Sequence, residues 1–188
     1  MSTPDGTKVL DIHGRFYEAS SRGNLFVAHA IVTAPVIWST EAGTGGPLLW
    51  NGSNVSVGAH VKANILAVGF GVTVVTTVAA ALGFTGGDAQ PAAPTTTTAI
   101  DSTSNLLMGG DASRCTAYRI GTTVANQFFM PFAHVHTGAL TADTTGVQWI
   151  DVAGMITVEP GSFVSIAASA TATTLVASIS LVWEEVPL

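Results

Sequence analysis

His134 and His136, separated by Val135, are the residues whose types and spacing most directly suggest chemistry. On an extended strand alternate side chains project to one face, so His-x-His aims two imidazoles together, a spacing that metal sites use. A metal centre inside one subunit needs at least a third protein ligand, and the T-G-A-L-T that follows at 137–141 offers none. Hydrogen-bonded histidines at a subunit contact are the favoured reading, and a metal shared across a symmetry axis is the alternative. Other chemistry is harder to assemble. Cys115 sits in S-R-C-T-A without a base, the serines lie outside any G-x-S-x-G, and Gly69-Phe70-Gly71 lacks the third glycine of a dinucleotide loop. Glu184 and Glu185 are adjacent on an expected strand and point to opposite faces, so they cannot act as an acid–base pair. They are expected to end an apolar strand and keep an edge from pairing further. Arg114 and Arg119, near Asp111, fit ion pairs or an interface better than a substrate clamp. Trp38, Trp50, Trp149 and Trp183 fit core or interface anchors. For sugar stacking, only Trp149-Ile150-Asp151 and Trp183-Glu184-Glu185 bring an acid near an indole. These residues imply no catalytic site, no metal, no cofactor and no small-molecule substrate.

The elements that must position these residues are strands. Residues 158–186 carry no formal charge from Pro160 to Trp183 and are rich in β-branched and small residues. Pro160-Gly161 marks a turn, 163–167 a strand, and 175–186 a long final strand, read as buried on both faces. Residues 25–33 have apolar residues at both alternations apart from His29 and suggest the same. Residues 63–87 are also uncharged and long enough to span a bilayer, but their threonines, glycines and alternating valines suit pleated strand. Residues 79–82 could close that segment with a helical turn. Further strands are expected at 15–19, 36–39, 48–50, 116–121, 126–132, 147–152 and 155–158, the last two flanking a hairpin or bulge at Ala153-Gly154. The expected fold is all-β: an antiparallel β-sandwich, a single jelly roll over 15–188, with an N-terminal arm at 1–14 and a Pro/Thr-rich loop at 86–98.

Composition bounds the function. The 188 residues are 47% hydrophobic and only 10% charged, with mean hydropathy +0.47, so much of the surface is expected to become interface. Net charge is −6 and the six basic residues are scattered, which disfavours nucleic acid as a partner. A membrane partner is likewise not expected. A single cysteine excludes an intrachain disulfide. The N-terminus has neither a basic nor an apolar leader pattern, so signal-peptide secretion is not expected. The glycosylation patterns at Asn51 and Asn54 are therefore read as turn residues.

On the expected jelly roll, His134 and His136 resemble the histidine pair of the cupins. The chain departs from that pattern, because no glutamate follows the pair closely and Pro160-Gly161 leads to S-F-V-S rather than to another histidine. A second resemblance is carried by A-I-D-S-T-S-N at 99–105, C-T-A-Y-R-I-G at 115–121, H-V-H-T-G-A-L at 134–140 and V-W-E-E-V-P at 182–187. Together they resemble structural proteins of tailed-phage virions, in particular jelly-roll head-decoration or cement proteins. The resemblance implies a non-enzymatic subunit that is made in the host cytoplasm, assembles as a homotrimer, and binds a major capsid protein on the virion's capsid surface. The alternatives are a trimeric receptor- or glycan-binding adhesin or fibre module, and a cupin-like metal-dependent protein using His134 and His136. The expected subunit contact is the final hairpin with the histidine pair: His134, His136, Phe163, Ile179, Leu181 and Trp183.

Overall fold

Alternation sets the longest strands. Ile179, Leu181 and Trp183 recur at every second position of the last strand and are buried, while Ser178, Ser180, Val182 and Glu184 between them stand half-exposed. The computed structural model describes residues 16–33, 44–45, 47–52, 60–74, 79–87, 95–100, 102–122, 127–135, 147–170 and 175–188. They form one short helix, α1 (Tyr17–Ser21), and the strands β1 (Leu25–Thr33), β2 (Thr44–Gly45), β3 (Leu48–Trp50), β4 (Val61–Val74), β5 (Ala80–Gly87), β6 (Thr95–Ala99), β7 (Ser102–Asn105), β8 (Thr116–Thr122), β9 (Phe128–Val135), β10 (Gln148–Val158), β11 (Phe163–Ala168) and β12 (Val176–Pro187).

The pairing defines a jelly roll. Leaving out β2 and the insertion β6–β8, the remaining strands pair first with last: β1 with β12, β3 with β11, β4 with β10, and β5 with β9, all antiparallel. Rolling that ladder brings β4 against β12 and β5 against β11, which closes two sheets. One sheet runs β10-β4-β12-β1-β7; the other runs β2-β8-β3-β11-β5-β9, with β6 on the far side of β8. The insertion between β5 and β9 thus extends both sheets, β7 beside β1 and β8 beside β3.

The main core lies between the sheets. Phe26, Ala28, Ala30, Ile65, Val68, Ile179, Leu181 and Trp183 from the first sheet meet Leu49, Phe84, Val164 and Ile166 from the second. Phe132 of β9 tilts against both Phe70 of β4 and Phe84 of β5, with ring centroids 5.7 and 5.0 Å away, and so ties the two layers. Asn51, fully buried, closes one end by donating from Nδ2 to the carbonyls of Val61 (2.7 Å) and Val158 (2.9 Å). That burial withdraws Asn51 from glycosylation, in line with its reading as a turn residue; Asn54 lies outside the described residues.

Several expectations are corrected. Strands β1 and β12, read as covered on both faces, bury one face each; the positions between the buried ones are Val27, His29, Ile31 and Thr33 in β1 and Val176, Ser178, Ser180, Val182 and Glu184 in β12, all half-exposed or exposed. Among the described strands, β3, β5 and β11 are buried nearly throughout. The strand expected at 15–19 is replaced by α1, where Glu18 pairs with Arg22 one turn on. The helical turn expected at 79–82 is strand instead, because β5 is hydrogen-bonded on both sides by β11 and β9. Part of the expected 86–98 loop, Thr95–Ala99, is strand β6, paired with β8. The segments 1–14 and 36–39 fall outside the described residues. At Ala153-Gly154 the expected bulge is present within the single strand β10. Residues 152–155 are inserted between two stretches that pair with β4, and the positive φ of Ala153 (56°) and Gly154 (75°) suits a type I′ turn. Asp151 Oδ1 supports the turn by accepting the Ala153 N–H at 2.9 Å.

Candidate functional site

The residues expected at a subunit contact do not come together on the surface. Phe163, Ile179, Leu181 and Trp183 have at most 3% of their surface exposed within a single chain, so their side chains are core and unavailable to a neighbour. The reason is topological: β12 is the central strand of its sheet, flanked by β4 and β1, and its apolar side faces the second sheet. His134 is exposed on the edge strand β9, and His136 lies outside the described residues. Among the described residues, no group of three or more His, Cys, Asp or Glu could hold a metal ion.

Glu184 and Glu185 do point to opposite faces, but Glu185 does not blunt an edge. It is 5% exposed on the inner side of β12, and its carboxylate gathers the insertion. It accepts from the Ser113 hydroxyl (2.5 Å), the backbone N–H groups of Arg114 (3.1 Å) and Cys115 (3.2 Å), and Trp183 Nε1 (3.3 Å). A buried carboxylate is tolerable because N–H and O–H donors replace its water. A second polar hub lies beside it. Asn105 donates from Nδ2 to the carbonyls of Gly23 (2.7 Å) and Asp111 (2.9 Å), while its Oδ1 accepts the Leu107 N–H at 2.8 Å. The loop so held presents Leu106, Leu107 and Met108 outward, Met108 with 87% of its surface exposed.

These two hubs shape one end of the sandwich. A cleft of about 390 Å³ opens there among Arg22, Asn24, Leu107, Asp111, Arg114 and Pro187, with Glu185 in its wall. Exposed apolar residues accompany it: Leu107 in its lining, Leu106 and Met108 on the same loop, and Val186 and Leu188 on either side of the lining residue Pro187. Arg22 is paired with Glu18, whereas Arg114 and Arg119 make no ion pair among the described residues, so of their two expected roles, ion pair or interface, the first is not found there. The end therefore combines exposed apolar residues with an available guanidinium, a composition suited to a protein contact.

Cys115 sits under this cleft and is chemically quiet. Burial, reinforced by the negative charge of Glu185 and a hydrogen bond to it, pushes the thiol well above its ordinary range. The unfolded chain loses the thiol proton above about pH 8.5, while the folded chain keeps it. The folded state then binds more protons, so its stability falls with rising pH, by up to about 1.4 kcal/mol per unit, between the ordinary and the raised value. Urea titrations at several alkaline pH values are expected to show this decline in the native chain and a shallower one in Cys115→Ala. A thiol reagent should label the chain only after unfolding.

The other surface feature is the outer face of the first sheet. Pairing registers place Trp149 of β10 beside Gly69 of β4, Gly69 beside Ser180 of β12, and Ser180 beside His29 of β1. His29 Nδ1 and Ser180 Oγ are 3.3 Å apart. The pair carries the groups of a nucleophile and a base, but among the described residues no acid is hydrogen-bonded to the His29 ring to complete a triad. The row is therefore a hydrogen-bonding surface. Of the indoles, Trp183 and Trp50 are buried and Trp149 is 58% exposed, so the Trp183-Glu184-Glu185 sugar-stacking alternative fails on burial; Trp38 lies outside the described residues.

Neither surface was readable as a motif. The row draws one residue from each of four strands that are remote in sequence, and the cleft depends on β12 meeting an insertion seventy-odd residues earlier, as in the contact of Cys115 with Glu185. The Gly109-Gly110-Asp111 turn was the one visible signal for the end loop. By strand order the chain is a jelly-roll β-sandwich with an inserted β6–β8 unit. Compared with known proteins, it matches no family model, no curated protein and no solved structure.

Proposed function

We propose that this chain is a non-catalytic structural subunit that assembles with copies of itself. The observation that carries the reading is the end of the sandwich where Leu107 lines a cleft, its loop neighbours Leu106 and Met108 are exposed, and Val186 and Leu188 are exposed on either side of the lining residue Pro187. Exposed apolar residues gathered at one end of a chain with 10% charged residues favour burial against another protein. The hydrogen bonds of Asn105 and Glu185 hold that surface in place before association, which lowers the ordering cost of binding. The setting we propose is the surface of a tailed-phage capsid, with the subunit decorating or cementing the shell as a homotrimer against a major capsid protein. The sequence resemblance supports that setting, and a net charge of −6 with scattered basic residues agrees with a role away from nucleic acid.

Native mass spectrometry of the full chain tests the assembly: a homotrimer that persists at high salt is expected, and a monomer at about 10 μM, where contacts with micromolar dissociation constants are populated, would overturn the reading. Co-sedimentation with emptied phage capsids tests the setting separately from the oligomeric state.

A further inference from the structure

The outer face of the first sheet carries a feature that self-assembly at the end of the sandwich does not use. A Cβ placed on Gly69 would lie 3.0 Å from Trp149 Cη2, 3.0 Å from Cζ2 and 3.1 Å from Cδ2. Cη2 and Cδ2 are on opposite sides of the six-membered ring, so near-equal distances put the glycine under the ring's face. The indole thus lies flat on the backbone of β4, in the space that only glycine leaves. With one face held against the sheet, 58% of the residue is still exposed. Across the sheet from it, in the same register row, come the hydroxyl of Ser180 and the imidazole of His29, both half-exposed and hydrogen-bonded to each other at 3.3 Å. Adjacent strands are about 4.8 Å apart, so the Ser180 hydroxyl lies one strand spacing from the indole over Gly69, and the His29 imidazole, one strand further, stands behind it as its hydrogen-bond partner.

The charges around the row narrow the ligand. The neighbouring row holds Asp151, Ala67, Val182 and Val27, and the lysine of β4, Lys62, lies at the far start of the strand, engaged with Glu159 at 2.8 Å. Among the described residues the row itself therefore holds no lysine or arginine for a phosphate or sulfate, and the one acid beside it, Asp151, is an acceptor already engaged by the Ala153 N–H. The row fits a neutral, ring-shaped molecule with an apolar face and a hydroxylated edge.

We propose that Trp149, Ser180 and His29 form a binding platform for a neutral saccharide. The weakly positive C–H bonds on one face of a pyranose pack on the electron-rich face of the indole, and ring hydroxyls exchange hydrogen bonds with Ser180 Oγ and the His29 ring. Because Gly69 fixes the indole in advance, little side-chain entropy is lost on binding. The platform lies on a different surface from the apolar end, so it stands or falls independently of the assembly reading.

The full chain is titrated with neutral malto-, cello-, chito- and galacto-oligosaccharides up to about 10 mM, the range of weak single-site binding, following the Trp149 indole N–H by NMR. At least one saccharide is expected to bind saturably. Trp149→Ala should weaken it at least about tenfold, and Ser180→Ala should weaken it several-fold. Trp149→Leu keeps apolar cover over Gly69 without the aromatic face and should also lose binding while remaining folded by near-UV circular dichroism. That variant separates a ligand platform from a residue that merely protects the sheet. Failure of the whole panel to perturb Trp149, or binding that survives Trp149→Leu, would overturn the proposal. So would a Trp149→Leu chain altered only in subunit number, which would make the indole a contact with a second copy.

Discussion

Glu185→Ala is expected to destabilise the subunit by about 3–5 kcal/mol, the range found when one partner of a buried charged network is removed. The carboxylate is the shared acceptor for a serine hydroxyl, two backbone N–H groups and an indole N–H, drawn from the insertion and from β12 itself. Alanine leaves those donors facing a cavity, and each unsatisfied buried donor costs about 1–3 kcal/mol where water cannot reach it. Glu185→Gln should be milder, because the amide keeps one carbonyl acceptor although its NH₂ opposes the remaining N–H groups. Urea denaturation of the three chains checks the order. A loss below about 1 kcal/mol in Glu185→Ala would show that the insertion is held by its strand pairing alone. Native-state hydrogen exchange locates the effect: the amides of Arg114 and Cys115 should lose protection before those of β4 and β12.

The sequence makes Glu185 look like surface. A glutamate next to another glutamate at the end of an apolar strand reads as a solvated terminus, and only the long-range pairing of β12 with β1 and β4 turns its side chain inward. Asn51 shows the same limit, since its two backbone acceptors, Val61 and Val158, are far apart in the chain. What local pattern does carry is strand content and turn chemistry: the long apolar segments become β4, β5, β11 and β12, and Ala153-Gly154 becomes the inserted turn of β10. The jelly roll is legible because strands of this length with turns between them must close two layers. The insertion is not, because β6 and β7 consist of threonine, serine and small residues whose strand state depends on edges supplied by β8 and β1.

Ile179→Asp is expected to unfold the subunit rather than to separate folded subunits. Ile179 is completely buried between β1 and β4 and belongs to the core shared by the two sheets. An unpaired aspartate there must either be ionised, at a cost of several kcal/mol, or take up a proton and still bury a carboxyl without a partner. Adding the lost packing of the isoleucine, the total reaches about 5 kcal/mol or more, comparable with the whole stability of a typical domain. Ser178→Asp, one residue away, places the same charge on the half-exposed outer face and should stay folded, within about 1 kcal/mol of the native chain. Near-UV circular dichroism and native mass spectrometry on both variants distinguish the outcomes. A folded Ile179→Asp chain that had lost only its partners would put the side chain at a subunit contact and contradict the sheet order. The absence of charge from Val176 to Trp183 had suggested burial on both sides, but Ser178 and Ser180 meet water without a charge. In this strand the informative signal is the two-residue alternation of Ile179, Leu181 and Trp183, which the uniform lack of charge conceals.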